Sequence, residues 1–124
     1  MTHTTTWEEN GIYWDIYDVL ESDEVIEFNE ELSDNGRLEE LSYFIWEATK
    51  VTNINIDKDD ANLAAIFSKS INEYNKKMKG AFIVHDSGLQ ALVQEYINHS
   101  DALGSTWTFM LFDNIEDARK WVLT

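Results

Sequence analysis

The sequence has no cysteine and no proline, only five glycines, and nine lysines and arginines against 24 aspartates and glutamates. Without cysteine there is no disulfide, no thiolate nucleophile and no Cys-ligated zinc. The three histidines are scattered and show no metal-ligand spacing, so no metal is expected. The absence of proline and the scarcity of glycine fit a chain made of regular elements joined by short turns. No apolar run approaches the roughly 20 residues needed to span a bilayer. The start, Met1-Thr2-His3-Thr4-Thr5-Thr6, lacks a basic region followed by an apolar one, so a soluble cytoplasmic protein is expected. A formal net charge of −15 leaves no surface suited to neutralising phosphates and argues against nucleic-acid binding.

What is present is enough for a packed core. With 124 residues, 44% hydrophobic and 13% aromatic, the chain reads as a single domain over residues 1–124. The charge is lopsided. Residues 1–49 carry 14 acidic residues against the single basic Arg37, whereas residues 50–124 carry ten against eight. The simple reading is a solvated, solubilising face, and the sharper one is docking to a basic protein partner.

Asn10-Gly11 lies between two stretches rich in β-branched and aromatic residues and predicts a tight hairpin with both residues at φ > 0. Ile12, Trp14 and Ile16 would share one face of the second strand, with Tyr13, Asp15, Tyr17 and Val19 on the other. Ser22 reads as the N-cap of an acidic first helix with Val25, Ile26, Phe28 and Leu32 inward, stopped by Asn35-Gly36. Tyr43 to Ala48 is an interior strand, followed by a polar loop. From Lys58 to about Lys77 a second helix is predicted, its stripe Leu63, Phe67, Ile71, Tyr74 and Met78 supported by Ala64 and Ile66. Ala81 to Val84 is a short strand, and Asp86 or Ser87 caps a third helix with Leu89, Leu92, Val93, Tyr96 and Ile97 inward. A strand over Thr106–Phe112 and a last helix capped by Asp113 or Asn114 complete the order ββαβαβαβα. That order calls for an α/β fold: a mostly parallel five-stranded sheet with an antiparallel edge hairpin and about four helices.

With these elements in place the chain resembles the SpoIIAA-like family of small bacterial proteins, related to STAS domains. The resemblance spans residues 7–124 and rests on Gly11-Ile12-Tyr13-Trp14, Trp46-Glu47-Ala48-Thr49-Lys50-Val51-Thr52, Lys79-Gly80-Ala81-Phe82-Ile83-Val84 and Phe112-Asp113-Asn114-Ile115-Glu116-Asp117-Ala118-Arg119-Lys120-Trp121. It implies a non-enzymatic domain that works by binding; a protein partner is the expected ligand, with a homo-oligomer as a separate expectation for the chain. The family has also been likened to lipid-carrying folds, which implies an apolar small molecule as the alternative ligand. STAS antagonists are switched by phosphorylation of a serine at the start of the helix after the Val-Thr strand. The matching segment, Val51 to Lys58, contains no serine and is followed by carboxylates instead.

The candidate ligand or partner edge is Asp57, Asp59, Asp60, His85, Asp86 and Asp113, gathered where parallel strands end. Helix capping explains the acids at each helix start equally well. His85-Asp86-Ser87 is not a hydrolase triad, because adjacent residues cannot take the nucleophile, base and orienter positions. Asp57, Asp86 and Asp113 lack the lysine that a phosphate-accepting receiver needs after its last strand. Neither a Gly-x-Gly-x-x-Gly turn nor a P-loop is present, so no cofactor is expected. Trp7, Tyr13 and Trp14 are candidate mouth residues of an apolar pocket. Lys76, Lys77 and Lys79 suit the C-terminal end of the second helix, or a weak peripheral membrane contact.

Overall fold

Period-two alternation in the second strand and period-3.6 stripes in the helices each bury one face, and the fold follows from stacking those faces. The computed structural model describes residues 2–34 and 36–124. Its strands are β1 (His3–Trp7), β2 (Gly11–Glu21), β3 (Tyr43–Asn55), β4 (Lys79–Ile83) and β5 (Thr108–Phe112). Its helices are α1 (Ser22–Asp34), α2 (Lys58–Asn72), α3 (Ser87–Ala102) and α4 (Ile115–Val122), with one 3-10 turn at Leu38–Glu40. The strands form one sheet in chain order, β1 antiparallel to β2 and every other pair parallel. The order expected from the sequence is the order found.

Because β2, β3, β4 and β5 follow one another in one direction, crossovers of a single hand put α1, α2 and α3 on the same side. Ile12, Trp14, Ile16 and Leu20 of β2, with Phe44, Trp46 and Phe82, form the main core against them. The other side is covered by α4, whose Ala118 and Val122 pack on Tyr43, Ile45, Ala81 and Ile83.

Several local expectations change. The β1–β2 hairpin pairs Trp7 with Ile12, and the Glu8 N–H donates to the Gly11 carbonyl (2.8 Å), so Glu9-Asn10 rather than Asn10-Gly11 sits at the tip. Neither Asn10 nor Gly11 has a positive φ. Gly11 is needed for space: a Cβ there would overlap the ring of Tyr43. Ser22 is the first residue of α1 rather than its cap, and its hydroxyl donates instead to Asp60 (3.2 Å). Asn35 of the expected stop lies outside the described residues, while Gly36 takes the left-handed φ of +77° that suits a glycine after a helix.

β3 continues to Asn55, well past Ala48. Beyond Glu47, its last residue paired to β4, it pairs only with β2, so Lys50, Thr52, Asn53 and Asn55 are solvated and read as loop in the sequence. Two register shifts and a left-handed Asp18 (φ 60°) bend this two-stranded overhang, and Val51, Ile54 and Ile56 return to the main core. α2 ends at Asn72. There the Asn72 amide donates to Thr106 Oγ1 (2.8 Å), and the buried Asn75 amide donates to the carbonyls of Leu38 and Leu41 (2.8 Å each). These side chains bond to neighbouring loops in place of another helical turn.

The face of α2 is the largest difference. Ala61, Ala64, Ala65, Ser68 and Ile71 are buried, whereas Leu63, Ile66, Phe67 and Tyr74 of the expected stripe are exposed. α2 packs chiefly on α1 and α3 rather than on the strands, so it bridges the sheet with small residues beneath it.

Candidate functional site

That bridging arrangement leaves space. The floor is the aromatic face of the sheet, Trp14, Phe44, Trp46 and Phe82, whose rings meet edge-on or tilted at centroid separations such as 5.6 Å (Trp14–Phe44) and 5.5 Å (Phe44–Phe82). α1 contributes Val25, Phe28 and Leu32 as one wall, and α3 contributes Leu89, Leu92 and Val93 as the other. Ala61 and Ala64 of α2 form the roof, and Ile56, carried in by the β2–β3 overhang, closes one end. These residues enclose a cavity of about 80 Å³ that opens into a wider depression of about 610 Å³ merging with solvent. A void of roughly 150 Å³ admits a benzene-sized ring in an apolar interior, so this one takes part of such a ring and the depression the rest.

One string of polar groups crosses the apolar lining. Tyr96 Oη donates to Ser68 Oγ (2.8 Å), which donates to Asn29 Oδ1 (2.8 Å), joining α3, α2 and α1 in turn. Burial pushes the Tyr96 hydroxyl up to about 12, with its bond to Ser68 acting the other way. It therefore stays a neutral hydroxyl at physiological pH, able to donate or accept but not to act as an anion.

α1, the wall bearing the most acid, is held by a network the sequence reading missed. His3 is 2% exposed, and its Nδ1 lies 2.7 Å from Glu24 Oε2 while its Nε2 lies 2.8 Å from Glu31 Oε2. This geometry suits an imidazolium, which donates from both ring nitrogens. Burial works against that charge, but the bonds to Glu24 and Glu31 outweigh it and raise the His3 pKa. Thr2 donates to Glu24, and Thr5 and Trp14 donate to Glu31 (Trp14 Nε1 at 3.3 Å). The signal was there: Glu24, Phe28 and Glu31 sit at i, i+4 and i+7, so carboxylates share the apolar stripe of α1 and need a buried partner.

The residues singled out from the sequence are dispersed. Asp57 and Asp60 form a reciprocal capping box at the start of α2, the Asp60 N–H donating to Asp57 (3.1 Å) and the Asp57 N–H to Asp60 (2.9 Å), with Asp59 exposed beside them. Asp86 caps α3 by accepting from the Leu89 N–H (2.8 Å), and Asn114, not Asp113, caps α4. His85 Nε2 donates to the Asp113 carbonyl (2.6 Å), so those two strand ends do meet. No hydrogen bond or ion pair among the described residues joins them to Asp57, Asp59 or Asp60, which the long β3 carries beyond the end of β4. Of the expected pocket mouth, Trp14 lies in the floor. Tyr13 points to the opposite face, its hydroxyl donating to Glu47 (2.9 Å), and Trp7 is held under Arg37 at 5.3 Å. Lys76 and Lys77 are exposed past the end of α2. Lys79 instead starts β4 and donates to the Trp121 carbonyl (3.1 Å) and Thr124 Oγ1 (2.8 Å), so the three do not serve the end of α2.

No family model and no curated protein matches the sequence. Among solved structures, an uncharacterized protein of the DUF3478 family from Shewanella loihica, described as having a SpoIIAA-like fold, superposes with a TM-score of 0.50. The two are 12% identical, and the match covers 97% of this chain and 91% of that one. The fold is SpoIIAA-like. In this chain the segment Val51 to Lys58, which matches the switch position of the antagonists but contains no serine, is mostly strand, and its Ile56 lines the cavity. Among the described residues no helix is long and apolar enough to cross a membrane.

Proposed function

We propose that this protein is a non-enzymatic binding domain whose ligand is a small apolar molecule carrying one hydrogen-bonding group, held in the cavity beneath α2. The observation that carries the reading is the cavity itself: an aromatic floor, an alanine roof, and a single polar string, Tyr96–Ser68–Asn29, set in an otherwise apolar lining. Small-molecule sites are built this way, with apolar surface for affinity and a few placed polar groups for orientation. The string supplies hydroxyls and an amide, which suit an alcohol or a carbonyl on the ligand. Since α2 rests on α1 and α3 rather than on the sheet, α1 and α2 act as the cover that moves to admit a larger molecule. Of the residues flagged in the sequence, Asp57, Asp60 and Asp86 are engaged in capping and His85 in a bond to backbone, which supports binding over catalysis.

The test is mass spectrometry of the organic extract of natively purified protein, together with displacement of the fluorophore N-phenyl-1-naphthylamine. Ala64→Phe, which places a ring in the cavity, is expected to remove both the extracted compound and the fluorophore signal while the circular dichroism spectrum is retained. Fluorophore binding that is the same in wild type and Ala64→Phe, with no compound in either extract, would refute the reading.

A further inference from the structure

α2 turns its bulky apolar residues away from the core. Leu63, Ile66 and Phe67 are 41%, 51% and 38% exposed, at the i, i+3, i+4 spacing of one helical stripe. At the Phe67 end of this stripe a groove of about 260 Å³ runs between α2 and α1, bounded by Ile26, Glu30 and Ser33 on one side and Phe67, Ser70 and Ile71 on the other. A contiguous apolar strip rimmed by polar groups marks an interaction surface, whereas single exposed apolar residues do not.

Charge identifies the occupant. α1 contains no basic residue, and its Glu30 and Asp34, both exposed, take part in no ion pair among the described residues. The two lysines of α2 are already engaged, Lys58 with Glu95 (3.3 Å) and Lys69 with Glu73 (2.9 Å). The groove thus sets the apolar Ile26, Phe67 and Ile71 beside Glu30, with Asp34 one turn further along α1. Both of its sides are helices whose backbone groups are bonded internally, so an extended segment would find no strand edge to pair with. A helix satisfies its own backbone and can lay apolar i, i+3, i+4, i+7 positions along such a groove. A second copy of this chain docking face to face would set these acids against their own copies, which like-charge repulsion disfavours.

We propose that the α1–α2 groove docks a basic amphipathic helix of a partner protein. Its apolar side chains seat on Leu63, Ile66 and Phe67, and its lysines or arginines face Glu30 and the neighbouring acids of α1. Asn29 borders both this groove and the cavity, but the groove is open whether or not the cavity holds a ligand, so the proposal stands independently of the preceding one.

The probe is a fluorescein-labelled helix of about 15 residues composed of leucine and lysine with the apolar stripe in register, compared by anisotropy with a scrambled peptide of identical composition. Expected are binding that weakens steeply with salt, a roughly tenfold loss in Phe67→Ser, and a similar loss in the double variant Glu30→Lys, Asp34→Lys. All three positions are solvent-facing, and unchanged thermal unfolding confirms that the variants fold. Equal binding of the scrambled peptide, or an affinity indifferent to the Glu30 and Asp34 reversal, overturns the proposal. So does a dimer in sedimentation equilibrium that Phe67→Ser dissociates, because the face would then belong to a second copy.

Discussion

On one face of the sheet Ala81 and Ala118 share a filled cluster under the eight-residue α4; on the other, Ala61 and Ala64 hang over four aromatic rings with a cavity between. The same small residue closes one interface and opens the other. What differs is the seating of the helix. α4 rests directly on β3, β4 and β5, so its alanines permit close approach. α2 is carried by α1 and α3, so its alanines cannot reach the sheet, and the space they leave is not reclaimed. The electrostatics differ in parallel. The α4 face is tied by Arg119 to Glu8 (2.8 and 3.0 Å), a half-buried pair, whereas the helix-rich face is tied by His3, buried between two carboxylates.

The largest expected effect breaks that second tie. His3→Ala leaves Glu24 and Glu31 without their buried cation and is expected to cost about 3–5 kcal/mol in denaturant unfolding. Glu8→Gln at the half-buried pair, whose charges keep contact with water, should cost about 1 kcal/mol. Equal costs would show that the two anchors are not different in kind. Next comes volume. Ala118→Leu or Ala81→Leu overpacks the filled face at about 1–3 kcal/mol, while Ala64→Leu grows into existing space and should stay under about 1 kcal/mol. An Ala64→Leu penalty matching that of Ala118→Leu would mean that the roof is already seated.

The two ties also give opposite pH slopes. His3 has a raised pKa in the folded state, so its contribution is complete below its ordinary value of 6.5 and is lost as pH rises through the raised value. Glu8 is held below its ordinary 4.5, chiefly by the hydrogen bonds from Arg119, so its contribution is present above 4.5 and is lost as pH falls through the lowered value. Unfolding free energy measured across pH should therefore decline above neutrality in wild type and not in His3→Ala, and Glu8→Gln should flatten the acid limb. A modest effect is expected from Tyr96→Phe, which removes one end of the polar string. It should cost about 0.5–1.5 kcal/mol by thermal unfolding and leave the Ser68–Asn29 bond in place.

The architecture was legible because strands such as Ile12–Ile16 and helices such as Leu89–Ile97 bury one regular face, and their periodicity reports it. α2 was misread for a physical reason. Its bulky residues do form a stripe, but periodicity gives a face without saying which way it turns, and here the inward face is the alanine one. The overhang of β3 was missed because Lys50 to Asn55 pair with one neighbour only and carry the polar composition of a loop. Within the candidate site, Trp14 and Tyr96 could be named as apolar-stripe residues. The cavity could not, since it depends on how high α2 rides above Phe82. His3 went unread because a lone histidine in a threonine-rich strand gains its meaning only from two glutamates on another element.

The strands lie in the sheet in the order in which they occur in the chain, and each pairs only with its immediate predecessor and successor. A sheet of this kind can be laid down progressively, each β-helix unit docking on the one before it, without a late strand having to insert between two already formed. One contact that runs against this order is the grip of Arg119 on Glu8, which spans 111 residues. Such a contact costs loop-closure entropy that only a nearly complete structure can repay. It would therefore form last and open first, making the α4 end of the molecule the place where native-state hydrogen exchange should begin.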